Sequence, residues 1–240
     1  MLTYHHYLRK QFEAVFNSSI FETMNYLAHI YLSGDSDGIK IGNFIGDYVK
    51  GKQFLGYRED IQQGILLHRL IDHFTDHHPL VKECNRLLRP GYGKYAGVVT
   101  DIFFDHFLAS AWSHYSAVPL KQYSKNFYAL LLQNFMVLPT HVKLFIPFMI
   151  QHKRLTSYAD LSGIEQSLRI MGNRTSLPEE SEYALALLRK EYQLFAAIFS
   201  AFFPELITYV ENEGGCPIAR PAESLGALTA CPDRASELPG

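Results

Sequence analysis

The sequence predicts an all-α protein, a single compact multi-helix domain. Apolar residues recur three and four apart, as in Ile61, Ile65, Leu66 and Ile71, and again in Leu185, Leu188, Tyr192, Phe195, Ile198 and Phe199. Period-two alternation, the mark of a half-buried strand, is scarce. With 240 residues, 48% of them hydrophobic, the chain is long enough to bury one sizeable core.

Taken in order, residues 1–23 read as an N-terminal extension, with Met24 a candidate for the original start. The helical domain is expected over 24–210. Its first helix, 24–33, ends at the turn Ser33 to Gly38, and helices over 39–51, 59–77 and 79–89 follow. A second turn, Arg89 to Gly93, precedes a helix over 94–117. Pro119, Pro139, the stretch Asn173 to Pro178 and Pro204 punctuate what comes next, because proline lacks an amide hydrogen and clashes with the preceding turn. This gives helices near 119–137, 140–153, 162–172 and 178–210. Ser162 with Glu165, and Ser176 with Glu179, have the spacing of capping boxes. The stripe Phe195, Phe199, Phe202 and Phe203 reads as core. From Glu211 to 240, Pro, Gly, Ala, Ser and Glu dominate without a helical period, as in a disordered tail, so truncation after Val210 is expected to be tolerated.

A net charge of −2 gives no basic excess, which argues against a nonspecific nucleic-acid binder. Cys84, Cys216 and Cys231 are few, odd in number and far apart, so a disulfide framework is not expected and a reducing cytoplasm fits. The first 23 residues lack an apolar run of signal-peptide length. The apolar run Leu194 to Phe203 is short for a membrane span and carries Ser200. No membrane partner is expected.

Four polar sets lie at helical spacing inside apolar segments: Asn25 with His29, Asn43 with Asp47, His68 with Asp72 and Asp76, and Asp101 with Asp105 beside His106. Residues four apart stack on one helix face, so each set aims its members in one direction. Burying so many ionisable groups requires a cation or a pairing network. Mixed imidazole and carboxylate donors suit manganese, magnesium or iron(II) better than a thiolate zinc site. A buried ion-pair network would produce the same spacing, and His73 and His77 fall off the His68 face.

Four ordered motifs, Met24-Asn-Tyr-Leu-Ala-His29, Gly42-Asn-Phe-Ile-Gly-Asp-Tyr-Val-Lys-Gly51, His68-Arg-Leu-Ile-Asp72 with Phe74-Thr-Asp76, and Asp101 with Asp105-His-Phe-Leu108, resemble the acyl carrier protein phosphodiesterase family over roughly residues 24 to 205. The resemblance implies an HD-like helical bundle and hydrolysis of the phosphodiester joining 4'-phosphopantetheine to a serine of holo-acyl carrier protein. Manganese is the metal it implies, and acyl carrier protein the partner. The chain has no His-Asp dipeptide, the signature of HD-domain phosphohydrolases.

On this reading Asp47, His68, Asp72, Asp76, Asp101 and Asp105 are the candidate metal ligands. His29 or His106 is the candidate acid for the leaving serine oxygen. Arg69 would bind phosphate or pair with a carboxylate, while Asn25, Asn43 and Lys50 are candidates for substrate contact. Lys50, Lys52 and Arg58 would form a basic rim for an acidic carrier protein. Two other classes stay open: a phosphohydrolase of small nucleotides or phosphoesters, and a non-catalytic helical binding module.

Overall fold

A computed structural model describes residues 26–221 of the chain, so the extension over 1–23, Asn25 and Cys231 lie outside the described residues. Within them every regular element is helical. The first half contains α1 (Tyr26–Tyr31), α2 (Asp37–Ile45), α3 (Glu59–His77), α4 (Pro79–Tyr92), α5 (Ala96–Ser110) and the short α6 (Trp112–Tyr115). The second contains α7 (Leu120–Gln133), α8 (Thr140–Gln151), the short α9 (Arg154–Ser157), α10 (Leu161–Arg174), α11 (Ser181–Lys190) and α12 (Tyr192–Glu213).

Local chemistry sets many of these boundaries. The Ser36 hydroxyl accepts a hydrogen bond from the Ile39 amide and caps α2. Glu59 and Asp60 sit in the first turn of α3, where carboxylates complement the helix dipole. His78 is extended because Pro79 follows it, and this stops α3 at His77.

Several expected boundaries shift. The helix expected over 39–51 starts at Asp37, ends at Ile45 and continues as a 3-10 turn over Gly46–Tyr48. The one over 94–117 breaks at Ala111, and the one over 178–210 breaks at Glu191, where ψ is 25°. Neither capping box forms, because α10 begins after Asp160 and α11 after Glu180. Pro204 does not end its helix. The residue four before it, Ser200, is exposed, so water can satisfy the carbonyl that proline leaves without a donor.

The closest helix crossing lies between α2 and α3, at two glycines. A Cβ on Gly64 would sit 2.8 Å from Gly42 Cα and 2.8 Å from the Asn43 nitrogen, so the backbones meet only because neither residue has a side chain. This contact brings Asn43 and Asp47 alongside His68 and Asp72. Helix α12 covers α3, α4 and α5, and Phe195, Phe199, Phe202 and Phe203 are all buried as core. By length and composition α12 alone among the described helices could cross a membrane, and half of its apolar window is buried inside the bundle.

The tail expected from Glu211 does not begin there. Helix α12 runs to Glu213, Cys216 and Ile218 are buried, and Arg220 grips the Glu211 carboxylate through two contacts of 3.0 Å. Low hydropathy averaged over the segment hid these two apolar anchors. Residues 222–240 lie outside the described residues.

Candidate metal centre

His29 and His68 face each other in the interior, their rings stacked with centroids 4.3 Å apart. His29 comes from α1, and its Nε2 lies 3.4 Å from Asp72 Oδ1. His68 comes from α3, and its Nε2 lies 3.2 Å from Asp47 Oδ1 and 3.1 Å from Asp72 Oδ2. Donor atoms of His29, His68 and Asp72 fall within 4.8 Å of one another. Both imidazoles are buried, whereas the Asp72 side chain is 43% exposed, so the group opens to solvent through its carboxylates.

One histidine is held in a single tautomer. Asn43 is fully buried, and its Nδ2 donates to the His29 carbonyl at 2.8 Å and to Ser33 Oγ at 3.0 Å. Asn43 Oδ1 is therefore the acceptor that faces His29 Nδ1, at 2.8 Å, and that nitrogen must carry the proton. The His29 Nε2 lone pair then points into the cluster. Burial, with the positive neighbour His68, pushes the His29 pKa down and keeps the ring neutral. A ligating histidine needs this same arrangement.

His68 is set differently. Its two buried ring nitrogens have no aligned hydrogen-bond partner, although two carboxylate oxygens lie within ion-pair distance of Nε2. Burial opposes charge on this ring, but Asp47 and Asp72 outweigh it and hold the imidazole protonated up to about 10. An orphaned buried nitrogen facing two carboxylates fits a divalent cation, which would satisfy both. Gly46 allows the ring its place: a Cβ there would come within 2.5 Å of His68 Cβ and closer still to the ring.

The other acids divide. Asp101, on α5, belongs to the cluster electrostatically: burial, then the charges of Asp72, Asp76, Asp105 and Asp47, drive its pKa far above the usual carboxylate range. Asp76 is exposed at the rim, one turn beyond Asp72, and is not in the group of mutually close donors. Asp105, expected as a ligand, is fully buried and accepts the amides of Leu27 at 3.0 Å and Ala28 at 2.8 Å. It caps the first turn of α1 from 78 residues away and so positions His29. Burial lifts its pKa to about 7 against the pull of those two amides.

Two further expectations are corrected. His106 faces away from the cluster: Nδ1 lies 2.8 Å from the Tyr158 carbonyl and Nε2 3.0 Å from the Tyr192 hydroxyl, so both nitrogens are engaged in the core. Asn43, expected to touch substrate, is buried and positions His29 instead. The Arg69 guanidinium is engaged with backbone. It donates to the carbonyls of Val49 and Gly51, each at 2.9 Å, and lies over the Phe54 ring, fastening the turn after Asp47 to α3. That turn carries exposed Lys50 and Lys52, whereas Arg58 is paired with Asp60 at 2.7 Å.

The sequence reading gave Ser33, Gly42, Gly46 and Gly64 no part in the site. Glycines spaced along two helices that must cross were the available signal.

Residues 24–206 match the family model described as acyl carrier protein phosphodiesterase. The chain is similar to the acyl carrier protein phosphodiesterase of Photorhabdus laumondii, with 30% identity over 193 residues, 79% of this chain and 96% of the relative. It is also similar to the protein of that name from Enterobacter sp. (strain 638), with 28% identity over 194 residues, 79% of this chain and 99% of the relative. A third, from Yersinia enterocolitica, shares 27% over 191 residues, covering 79% and 99%. No solved structure matches. With its family match spanning α1 to α12 and including every residue of the cluster, the chain belongs to the acyl carrier protein phosphodiesterase family.

Proposed function

We propose that the chain is a metal-dependent phosphodiesterase that removes 4'-phosphopantetheine from holo-acyl carrier protein, leaving the apo form. The supporting observation is the buried His68 ring, whose Nε2 faces the carboxylates of Asp47 and Asp72 beside the tautomer-fixed His29. His29 Nε2, His68 Nε2, Asp72 and Asp47 would hold the cation. Manganese is the proposed ion, because imidazole with several carboxylates suits it, and magnesium or iron(II) follow. When bound, such an ion polarises the phosphoryl group and acidifies water.

The chain's own groups do the remaining work. Asp101 keeps a proton beyond the ordinary carboxylate range and is the proposed acid for the serine oxygen as it leaves. Asp105 and Asn43 fix the position and tautomer of His29. Lys50 and Lys52 offer positive charge beside the opening, which steers an acidic protein toward it. Leu55 is 60% exposed and Leu66 47% exposed, on the turn and the helix that Gln62 joins by donating to the Leu55 and Tyr57 carbonyls. The reaction belongs in the cytoplasm.

The test is incubation of purified, metal-stripped chain with holo-acyl carrier protein, with and without manganese. Mass spectrometry should show loss of the phosphopantetheine group only when metal is added. An unchanged carrier protein alongside rapid hydrolysis of a small phosphodiester would instead support the small-substrate reading.

A further inference from the structure

Helix α3 has a second imidazole pair. His73 and His77 are four residues apart, so they share a face rotated about 100° from the stripe of His68, Asp72 and Asp76. Both are exposed, and their ring centroids lie 4.4 Å apart. His77 Nδ1 sits 2.8 Å from the His73 carbonyl, which can only accept, so this nitrogen carries the proton. The Nε2 lone pair of His77 is left free on the solvent side, beside the His73 ring. Asp76 lies next to both: burial and Asp72 raise its carboxyl, while His77 and His73 pull it down.

We propose that His73 and His77 form a surface chelate for a borderline divalent cation of the zinc, nickel and copper class, separate from the buried centre and with Asp76 as its neighbouring carboxylate. The helix backbone already holds the two rings together, so little ordering entropy opposes chelation. Imidazole nitrogen donors favour zinc, nickel and copper over manganese, which the oxygen-rich buried cluster suits better. The two sites therefore differ in preferred metal. A cation on this face would place positive charge one helical turn from Asp72, at the rim of the opening. The inference rests on α3 alone and does not depend on the proposed reaction.

Calorimetric titration of the full-length, metal-stripped chain with zinc, and separately with manganese, tests it. The variants are His73→Gln, His77→Gln and, as a control at a lone exposed histidine, His152→Gln. Circular dichroism checks that each keeps its helical content. The unaltered chain and His152→Gln should take up one more zinc equivalent than His73→Gln or His77→Gln, or bind that equivalent at least about tenfold more tightly, with manganese binding the same in all four. Equal zinc uptake and affinity in all four proteins would overturn the chelate. Loss of manganese binding in the His73 or His77 variants would overturn its separation from the buried centre.

Discussion

The side chain of Asn43 closes a two-way clasp on His29, accepting from its Nδ1 and donating to its carbonyl, each at 2.8 Å. Neither contact touches the cluster directly, yet together they fix which ring nitrogen faces Asp72. Outer partners of this kind typically change metal affinity about 10–100-fold when removed. Asn43→Leu should therefore weaken manganese binding by about that factor while the chain stays helical. Unchanged affinity in a manganese titration would show that the clasp is not needed to orient His29.

Metal uptake should release protons. The folded, metal-free chain holds His68 protonated up to about 10, against an ordinary value of 6.5, and a ligating imidazole must be neutral. Manganese affinity should accordingly climb as pH rises from about 6.5 toward 10. Calorimetry at pH 7.5 in buffers of different ionisation enthalpy should detect at least one proton released per ion. For the metal-free fold the sign is opposite. Because the folded pKa is raised, the His68 contribution to stability is complete below 6.5 and is lost as pH passes through about 10. Thermal melts of metal-free protein should fall across that window, and those of a His68→Gln variant should lose this component.

Gly46→Ala tests whether the backbone must stay bare beside His68. The added methyl would collide with the imidazole, and overpacking of this kind costs about 1–3 kcal/mol. The expected result is lower thermal stability together with reduced metal binding. A variant as active and as stable as the parent would show that the ring can move aside freely.

His106 separates core from chemistry. His106→Leu removes the contacts to the Tyr158 carbonyl and the Tyr192 hydroxyl, which should cost about 1–3 kcal/mol of stability. Turnover at a temperature where the variant remains folded should stay near the parent value. Denaturant unfolding and a holo-to-apo assay on the same preparation would check both halves. A large fall in turnover with stability intact would return His106 to the reaction.

Truncation after Val210 should destabilise the chain. It removes Ile218, whose burial is worth about 1.5–3 kcal/mol, and also buried Cys216 and the Arg220 clamp on Glu211. A melting temperature equal to that of the full chain would show that these contacts add nothing.

Much of the fold was legible from periodicity alone. Helix α3 was expected over 59–77 and is found there, because acids mark its first turn and Pro79 its end. Residue spacing also pointed to His29, Asp47, His68 and Asp72 as inward-facing polar groups, and the structure places their side chains near one another. Only the assembled bundle could show where each one points. Asp105, expected as a ligand, is engaged elsewhere because the amides it caps belong to Leu27 and Ala28, far away in the chain. His106 was misplaced for a related reason, since it follows Asp105 directly but turns about 100° around the helix, toward Tyr158 and Tyr192.

The sequence by itself determined that this protein is helical, that one stretch of it gathers acids and imidazoles, and which residue types are available for a cation. Tertiary structure decided which of them meet. The glycine crossing of α2 and α3 sets His68 against Asp47, and the Asp105 cap delivers His29 from α1. Helical periodicity is a local property that fixes the face of one helix, whereas a binding site requires several faces to converge, and that depends on how the backbones pack.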